Sequence, residues 1–287
     1  MVINMNQMSF EDIYGNYTLP YYEGTAYSSK DDFYFLKKYN TYSTNCSDAK
    51  KPIFFFEKKE SENLVSLNRL FSINEIIGTG SELEKISRLK KWATNYFHFD
   101  GKQLPGRIYD ETSCYDLVIT AKKEGYALNC RYISLIFTQI LLSAGFRARW
   151  VICNSMDLRD TECHCVTEVY IDQIGKWIVV DPALGLFYFN KKGELLNLIE
   201  MRKMIAKGEK IRFCSDSIEH TKIIQLYWLK NIFRFSFCLS NKVDMLCAPH
   251  VEYACLNPEK FEMVDRTIIT STGKISYKYY YNDNCFV

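Results

Sequence analysis

The sequence has very little net charge. Its 36 Lys and Arg nearly balance its 34 Asp and Glu, leaving +2 over 287 residues. No basic stripe of the kind that phosphate-backbone binding needs is present, which argues against nucleic acid as a partner. No apolar run is long enough to span a bilayer, because the longest candidate, after Cys130, is broken by Ser134, Thr138, Gln139 and Ser143. The N-terminal stretch MVINMNQMSFEDIYGNY lacks a basic region followed by an apolar one. The expectation is a cytoplasmic protein, or a secreted one if a leader has been removed, with no membrane partner. No internal repeat or low-complexity segment occurs, and histidine is scarce, at four residues.

What is abundant is aromatic and sulfur chemistry. Tyr (21) and Phe (19) make disorder an unsuitable reading and promise a full core. The cysteines number eleven, so at least one is unpaired. They are scattered through a chain too large to need covalent staples, and reduced thiols are expected. Most such thiols act as small hydrophobes. A chemical role for any one of them needs further signals.

Residues 1–60, rich in Tyr, Ser, Asn and Lys, show no sustained period and are expected to be an irregular aromatic extension, with PIFFFE as one buried strand. Residues 61–213 form the expected core, and 214–287 a helix and hairpin extension of the same domain. In the core, Leu83, Ile86, Leu89, Ala93 and Tyr96 fall at helical spacing behind Ser81, a plausible N-cap with Glu82 and Glu84 in the first turn. Ile133, Ile136, Phe137, Ile140, Leu141 and Ala144 form a second stripe, stopped by Gly145. The segments FRARWVIC, CHCVTEVYI and KWIVVDP read as strands, the last two joined by a turn at DQIG. Helices follow around LLNLIEMRKMIAKG and TKIIQLYWLKNIF, and MVDRTIITSTGKISYKYYY reads as a hairpin. Helices and strands are partly segregated, which favours α+β over a doubly wound sheet.

Cys130 stands where a polar turn meets the second stripe, at a helix N-terminus with Asn129 as the cap. The dipole favours a thiolate by about 0.3–1 kcal/mol, up to about 2 when partly buried, or roughly one pKa unit. An activated nucleophile needs more, and an imidazolium supplies it. His164 opens a predicted strand after a polar loop, and Asp181 ends the next one, where a buried carboxylate requires a partner. If the turn pairs residues whose numbers sum to an odd value, His164 and Asp181 share a face of the hairpin; a one-residue slip separates them. Cys130 would then be the nucleophile, His164 its base and later acid, and Asp181 the group that fixes the imidazole. The N–H of Cys130 would be one oxyanion donor.

These residues resemble a known family. The series G-x-x-x-N-C-R before an apolar helix, AGFRARWV, D-x-E-C-H-x-V-x-x-V-Y and KWIVVDP is similar to the bacterial transglutaminase-like domain proteins, most strongly from about Ser81 to Phe213. The resemblance implies a papain/transglutaminase-like α+β core, with the nucleophile's helix packed on an antiparallel sheet and a Cys-His-Asp triad matching Cys130, His164 and Asp181. Two positions depart from the pattern: Val166 replaces an aromatic, and Ala183 a threonine. The implied activity is cysteine-dependent acyl transfer at a peptide or other amide bond through a thioester, without cofactor or metal. The alternatives are a non-catalytic peptide- or glycan-binding domain that keeps the fold, and a structural part of an assembly. The oligomeric state is left open.

Around the triad, Arg131 places a cation where the helix dipole disfavours one. It is read as a surface arginine, a support for the thiolate or a holder of a substrate carboxylate. Asn129 is chiefly the cap, and His98 a structural or cleft-lining residue. The CHC run at 163–165 suggests zinc, but Cys163 and Cys165 should point away from His164 on a strand, and the spacing is wrong for a tetrahedral site. Asp160 and Glu162 are read as a solvated loop or a cleft rim, and Trp177 as packing in the hairpin.

Overall fold

The computed structural model describes residues 29–43, 51–101, 114–160, 162–214, 218–242, 249–270 and 273–286. Its frame is an eight-stranded sheet of β2 (Ala148–Asn154), β3 (Cys163–Ile171), β4 (Lys176–Asp181), β5 (Leu186–Phe187), β6 (Arg234–Cys238), β8 (His250–Leu256), β9 (Arg266–Ile269) and β10 (Lys274–Tyr280). The spatial order is β5-β4-β3-β2-β6-β8-β10-β9. Every neighbouring pair is antiparallel except β8 with β10. The short strands β1 (Phe55–Phe56) and β7 (Ser240–Asn241) pair separately, in parallel.

Helices cover both faces of the sheet. On one lie α2 (Glu62–Phe71), α3 (Ile73–Ile77), α4 (Glu82–Tyr96), α5 (Cys114–Glu124) and α6 (Cys130–Ser143). They share a core with Trp150, Cys165, Val169, Ile178 and Val180 of the sheet. On the other lie α1 (Ser29–Lys38), α7 (Leu198–Ala206) and α8 (Ile218–Asn231), packed with Val151, Cys153, Val166, Val179, Phe235 and Phe237. The alternation of Ile178, Val179 and Val180 between these cores is the period of two that a strand buried on both faces requires. The α+β class and the helix-on-sheet core read from the sequence are those observed. Among the described residues no helix is long and apolar enough to cross a membrane.

Local signals set the elements that matter. Ser81 caps α4 in a full capping box: its hydroxyl accepts from the Glu84 N–H at 3.3 Å, and the Glu84 carboxylate accepts from the Ser81 N–H at 2.8 Å. The far end of α4 clamps the loop that follows Asp181. Thr94 Oγ1 donates to the Pro182 carbonyl at 3.1 Å, and Lys90 Nζ donates to that of Gly185. Gly185 has φ +70°, and a side chain there would press tightly on Thr94.

Two expectations for the N-terminal region need correction. The irregular extension contains helix α1, with Asp31 and Asp32 in its first turn and Lys37 and Lys38 in its last, and it buries Phe33 and Leu36. PIFFFE is not a buried strand: only Phe55 and Phe56 are extended, and Ile53 is 85% exposed. Its partner β7 is two residues long, and among the described residues no second strand pairs with the rest of the segment. Residues 1–28 lie outside the described residues.

Candidate active site

The position of Cys130 follows from how α6 is fastened to β3. Residues 130, 134 and 138 recur at four-residue steps on one helix face, rising about 6 Å each. Residues 163, 165 and 167 recur at two-residue steps on one face of β3, about 6.7 Å each. The two ladders therefore match. Ser134 Oγ donates to the Cys165 carbonyl at 2.8 Å, and Thr138 Oγ1 meets Thr167 Oγ1 at 3.2 Å. One rung earlier, the Cys130 thiol lies 3.8 Å from the Cys163 carbonyl. The polar residues that interrupt the apolar stripe are thus what sets its register on the sheet. Asn129 caps the helix, accepting from the Tyr132 N–H at 3.2 Å.

The β3–β4 hairpin decides where His164 and Asp181 lie. Its turn is a 3-10 turn over Asp172–Ile174 closed by Gly175 at φ +62°. Thr167 pairs with Val180 and Ile171 with Lys176, so paired numbers sum to 347, an odd value. Asp181 is therefore diagonal to His164 on the same face. His164 Nε2 donates to Asp181 Oδ2 at 2.7 Å, both side chains being essentially out of solvent. Asp181 also accepts from the Tyr188 hydroxyl at 2.8 Å and from the Leu184 N–H at 3.1 Å.

His164 is boxed by rings from α8: Tyr227 and Trp228 each lie 5.1 Å from it, edge to face. Tyr227 donates to the Cys163 carbonyl at 3.3 Å. Tyr188 packs on Trp228 at 5.2 Å. These aromatic supports are absent from the sequence reading. Tyr188 follows Asp181 by seven positions and Trp228 by nearly fifty, and no periodic signal links them to the triad. A Tyr shortly after the strand-terminal Asp is the one cue that the sequence offers.

The electrostatics run in two directions. Burial opposes a charge on His164, but the Asp181 carboxylate, its hydrogen bond and the Cys130 sulfur outweigh it and push the imidazole up to about 10. The Cys130 thiol is held well below the ordinary thiol range. A hydrogen bond from the Cys165 thiol is the largest cause, burial opposes it, and the neighbouring His164 ring adds to it. Cys165 moves the opposite way, well up, as the donor in that contact and by burial. The two shifts run in opposite directions, the thiol down and the imidazole up. His164 Nδ1 is buried with no hydrogen-bond partner, so it is the ring nitrogen left for the sulfur. Tyr188 is pushed well up by burial and by Asp181, which keeps its proton available to the carboxylate.

The remaining candidates fall into place around this trio. Arg131 is partly buried, with its guanidinium 5.9 Å from the Trp150 ring. The His98 side chain is exposed; its carbonyl accepts from the Leu128 N–H at 2.8 Å, which ties the loop before Cys130 to the end of α4. Asp160 and Glu162 are not a free solvated loop: Lys230 of α8 pairs with them at 3.0 and 2.7 Å. Cys163 and Cys165 pack on the α6 side, away from His164 on the strand. Among the described residues no group of three or more His, Cys, Asp or Glu is arranged to hold a metal ion. Val166 and Ala183, the two departures from the family pattern, are buried apolar contacts. Trp177 packs edge-on to Tyr170 across the hairpin at 5.4 Å.

Residues 72–182 match the family model of the transglutaminase-like superfamily. That segment contains α4, α6 and the hairpin and ends one residue after Asp181. Among solved structures, one named "Putative Cysteine Protease from Cytophaga hutchinsonii" is 17% identical, with a TM-score of 0.34. The match covers 62% of this chain and 55% of that one, so the chain spans about half its length. No curated protein matches the chain.

Proposed function

Taking residues 72–182 as a transglutaminase-like domain, we propose that this protein is a cysteine-dependent acyl-transfer enzyme that hydrolyses an amide bond, with Cys130, His164 and Asp181 as its triad. The observation that carries the reading is the division of labour on one ring. Nε2 of His164 is committed to Asp181 at 2.7 Å, while the buried Nδ1 has no partner and the ring interacts with the thiol of Cys130. Most buried polar atoms find a partner, so a ring with one nitrogen engaged and one free beside a thiol supports the reading.

The chemistry follows from the atoms. Sγ of Cys130, as thiolate, attacks the substrate carbonyl carbon, and the C=O electrons move onto oxygen. The first-turn N–H of Cys130, which no carbonyl of its own helix can reach, faces that developing charge. Collapse of the adduct breaks the C–N bond, and the leaving amine takes the proton from His164 Nδ1. The product is a thioester. His164, now neutral, accepts a proton from water, whose oxygen attacks the thioester and releases the acid and the thiolate. Asp181 holds the imidazole in the tautomer that presents Nδ1 and stabilises its cation in each half.

Screening wild type and Cys130→Ala against peptide and amide libraries tests this. Turnover is expected in the wild type and none in the variant, and turnover that survives the substitution defeats the mechanism. The pH profile is a second reading. Activity should appear well below the ordinary thiol pKa of about 8.5, since the thiolate is already formed there. It should fall as pH passes about 10, where His164 loses the proton it must donate. Iodoacetamide should label Cys130 far faster than the other ten cysteines. Uniformly slow labelling would point instead to a binding domain.

A further inference from the structure

Arg131 follows the proposed nucleophile directly, and its charge is left unanswered. Its Nε is buried with no hydrogen-bond partner. Among the described residues its guanidinium makes no ion pair, and its one close ring contact, 5.9 Å from Trp150, is at the outer limit for a cation–π attraction. The strongest electrostatic influences on it come from the phenols of Tyr253 and Tyr132 and the thiols of Cys165 and Cys163. The fully buried arginines differ. Arg149 holds Glu168 at 2.8 Å and the Phe286 carbonyl at 2.7 Å. Arg202 leaves Nη1 unpartnered but donates to the carbonyls of Phe233 and Tyr39 at 2.9 and 2.5 Å, whereas Arg131 makes no hydrogen bond to either.

A guanidinium so placed is costly twice over. It is partly removed from water without an acceptor, and it stands in the first turn of α6, where the dipole repels a cation. Support of the thiolate does not account for it: Cys130 responds chiefly to Cys165 and His164, whereas Arg131 acts on Cys163. The Arg131 side chain is partly exposed while its Nε is sealed, so the open side of the guanidinium is where a ligand would meet it. A guanidinium fork matches a carboxylate in two-point geometry.

We propose that Arg131 binds a carboxylate of the substrate, so that the amide cleaved at Cys130 lies within a residue or two of an acidic group. The inference rests on Cys130 being the nucleophile. A C-terminal carboxylate and an Asp or Glu side chain supply the same chemistry, and the test separates them.

Three alkylating reagents share one reactive group: bromoacetyl-glycine, with a terminal carboxylate; the bromoacetyl derivative of aspartic acid α-amide, with a side-chain carboxylate; and neutral bromoacetyl-glycinamide. In each case the Cys130 thiolate displaces bromide and forms a thioether. At least one acidic reagent should modify Cys130 about tenfold or more faster than the neutral one, the size of one charge-assisted hydrogen bond. The faster of the two acidic reagents identifies the carboxylate's source. Arg131→Gln should bring the acidic reagents down to the neutral rate, and Arg131→Lys should keep part of the preference. Equal rates for all three in the wild type would overturn the role of Arg131, as would a preference that persists in Arg131→Gln. Because the wild-type ratio alone decides the first point, a variant that fails to fold leaves the proposal testable. Slow modification of Cys130 by the neutral reagent would instead strike at the nucleophile.

Discussion

His164 and Glu168 lie four residues apart on β3, on the same side of the strand, and each forms a buried charged pair with a neighbouring strand. Glu168 pairs with Arg149 of β2. Both Nε and Nη2 of the arginine reach one carboxylate oxygen, at 3.1 and 2.8 Å, and the other oxygen accepts from the Leu198 N–H at the start of α7. Arg149 also holds the Phe286 carbonyl and lies 4.1 Å from the Trp177 ring. Both carboxylate oxygens are engaged, and the pair ties the sheet to α7 and the C-terminal segment. At the other pair, Asp181 is as fully bonded as Glu168, but His164 keeps Nδ1 unpartnered beside a thiol, and Arg131 near by keeps Nε unpartnered. One strand thus carries a closed network, with both partners satisfied, and an open one that keeps a buried ring nitrogen unpartnered. The difference lies in leftover hydrogen-bonding capacity, since burial is nearly the same in both.

Substitutions can break that contrast. The largest effect is expected for Asp181→Asn, which should keep the fold but lower turnover by about 10³- to 10⁴-fold, because the imidazole loses both its orientation and its counter-charge. Steady-state kinetics beside a circular-dichroism melt would show it; a rate within tenfold of wild type would remove Asp181 from the machinery. Glu168→Ala should do the reverse. Leaving Arg149 buried and unpaired costs about 3–5 kcal/mol of stability, read by chemical denaturation, while iodoacetamide labelling of Cys130 in the folded fraction stays at the wild-type rate. A matching loss of labelling would mean that the two pairs are not independent. Tyr188→Phe is the smallest probe. It removes one of three donors to Asp181 and should lower turnover by about tenfold with little change in stability. An effect as large as that of Asp181→Asn would assign the tyrosine a part in the chemistry itself.

The legible parts of the fold are those with local causes. Ser81 and Asn129 are short polar acceptors ahead of apolar stripes, and both cap their helices. Gly145 ends α6 at φ +89°, a conformation that costs other residues energy. Less could be read where the cause is distant. Helix α1 has its apolar residues mixed with Tyr and Lys, so its helical period is hidden, and its burial depends on α7 and α8. PIFFFE has the composition of a core strand, but among the described residues its only strand partner is the two-residue β7. Ser134 and Thr138 look like defects in an apolar stripe until β3 supplies their acceptors.

The sequence by itself determined which side chains could do chemistry: a thiol at a capped helix start, a histidine at a strand's beginning and an aspartate at the end of the next strand. These depend on caps, strand period and the order of elements along the chain. It left open whether His164 and Asp181 would meet, since one residue more or less in the turn reverses every face. The tertiary structure decided that through the 3-10 turn at Asp172–Ile174 and the pairing sum of 347 that it imposes. It also decided which atoms remain unpaired. Hydrogen bonds between residues tens of positions apart use up the capacity of Glu168 and Arg149 and leave that of His164 Nδ1 and Arg131 Nε, a balance set by contacts between elements that no local stretch of the chain contains.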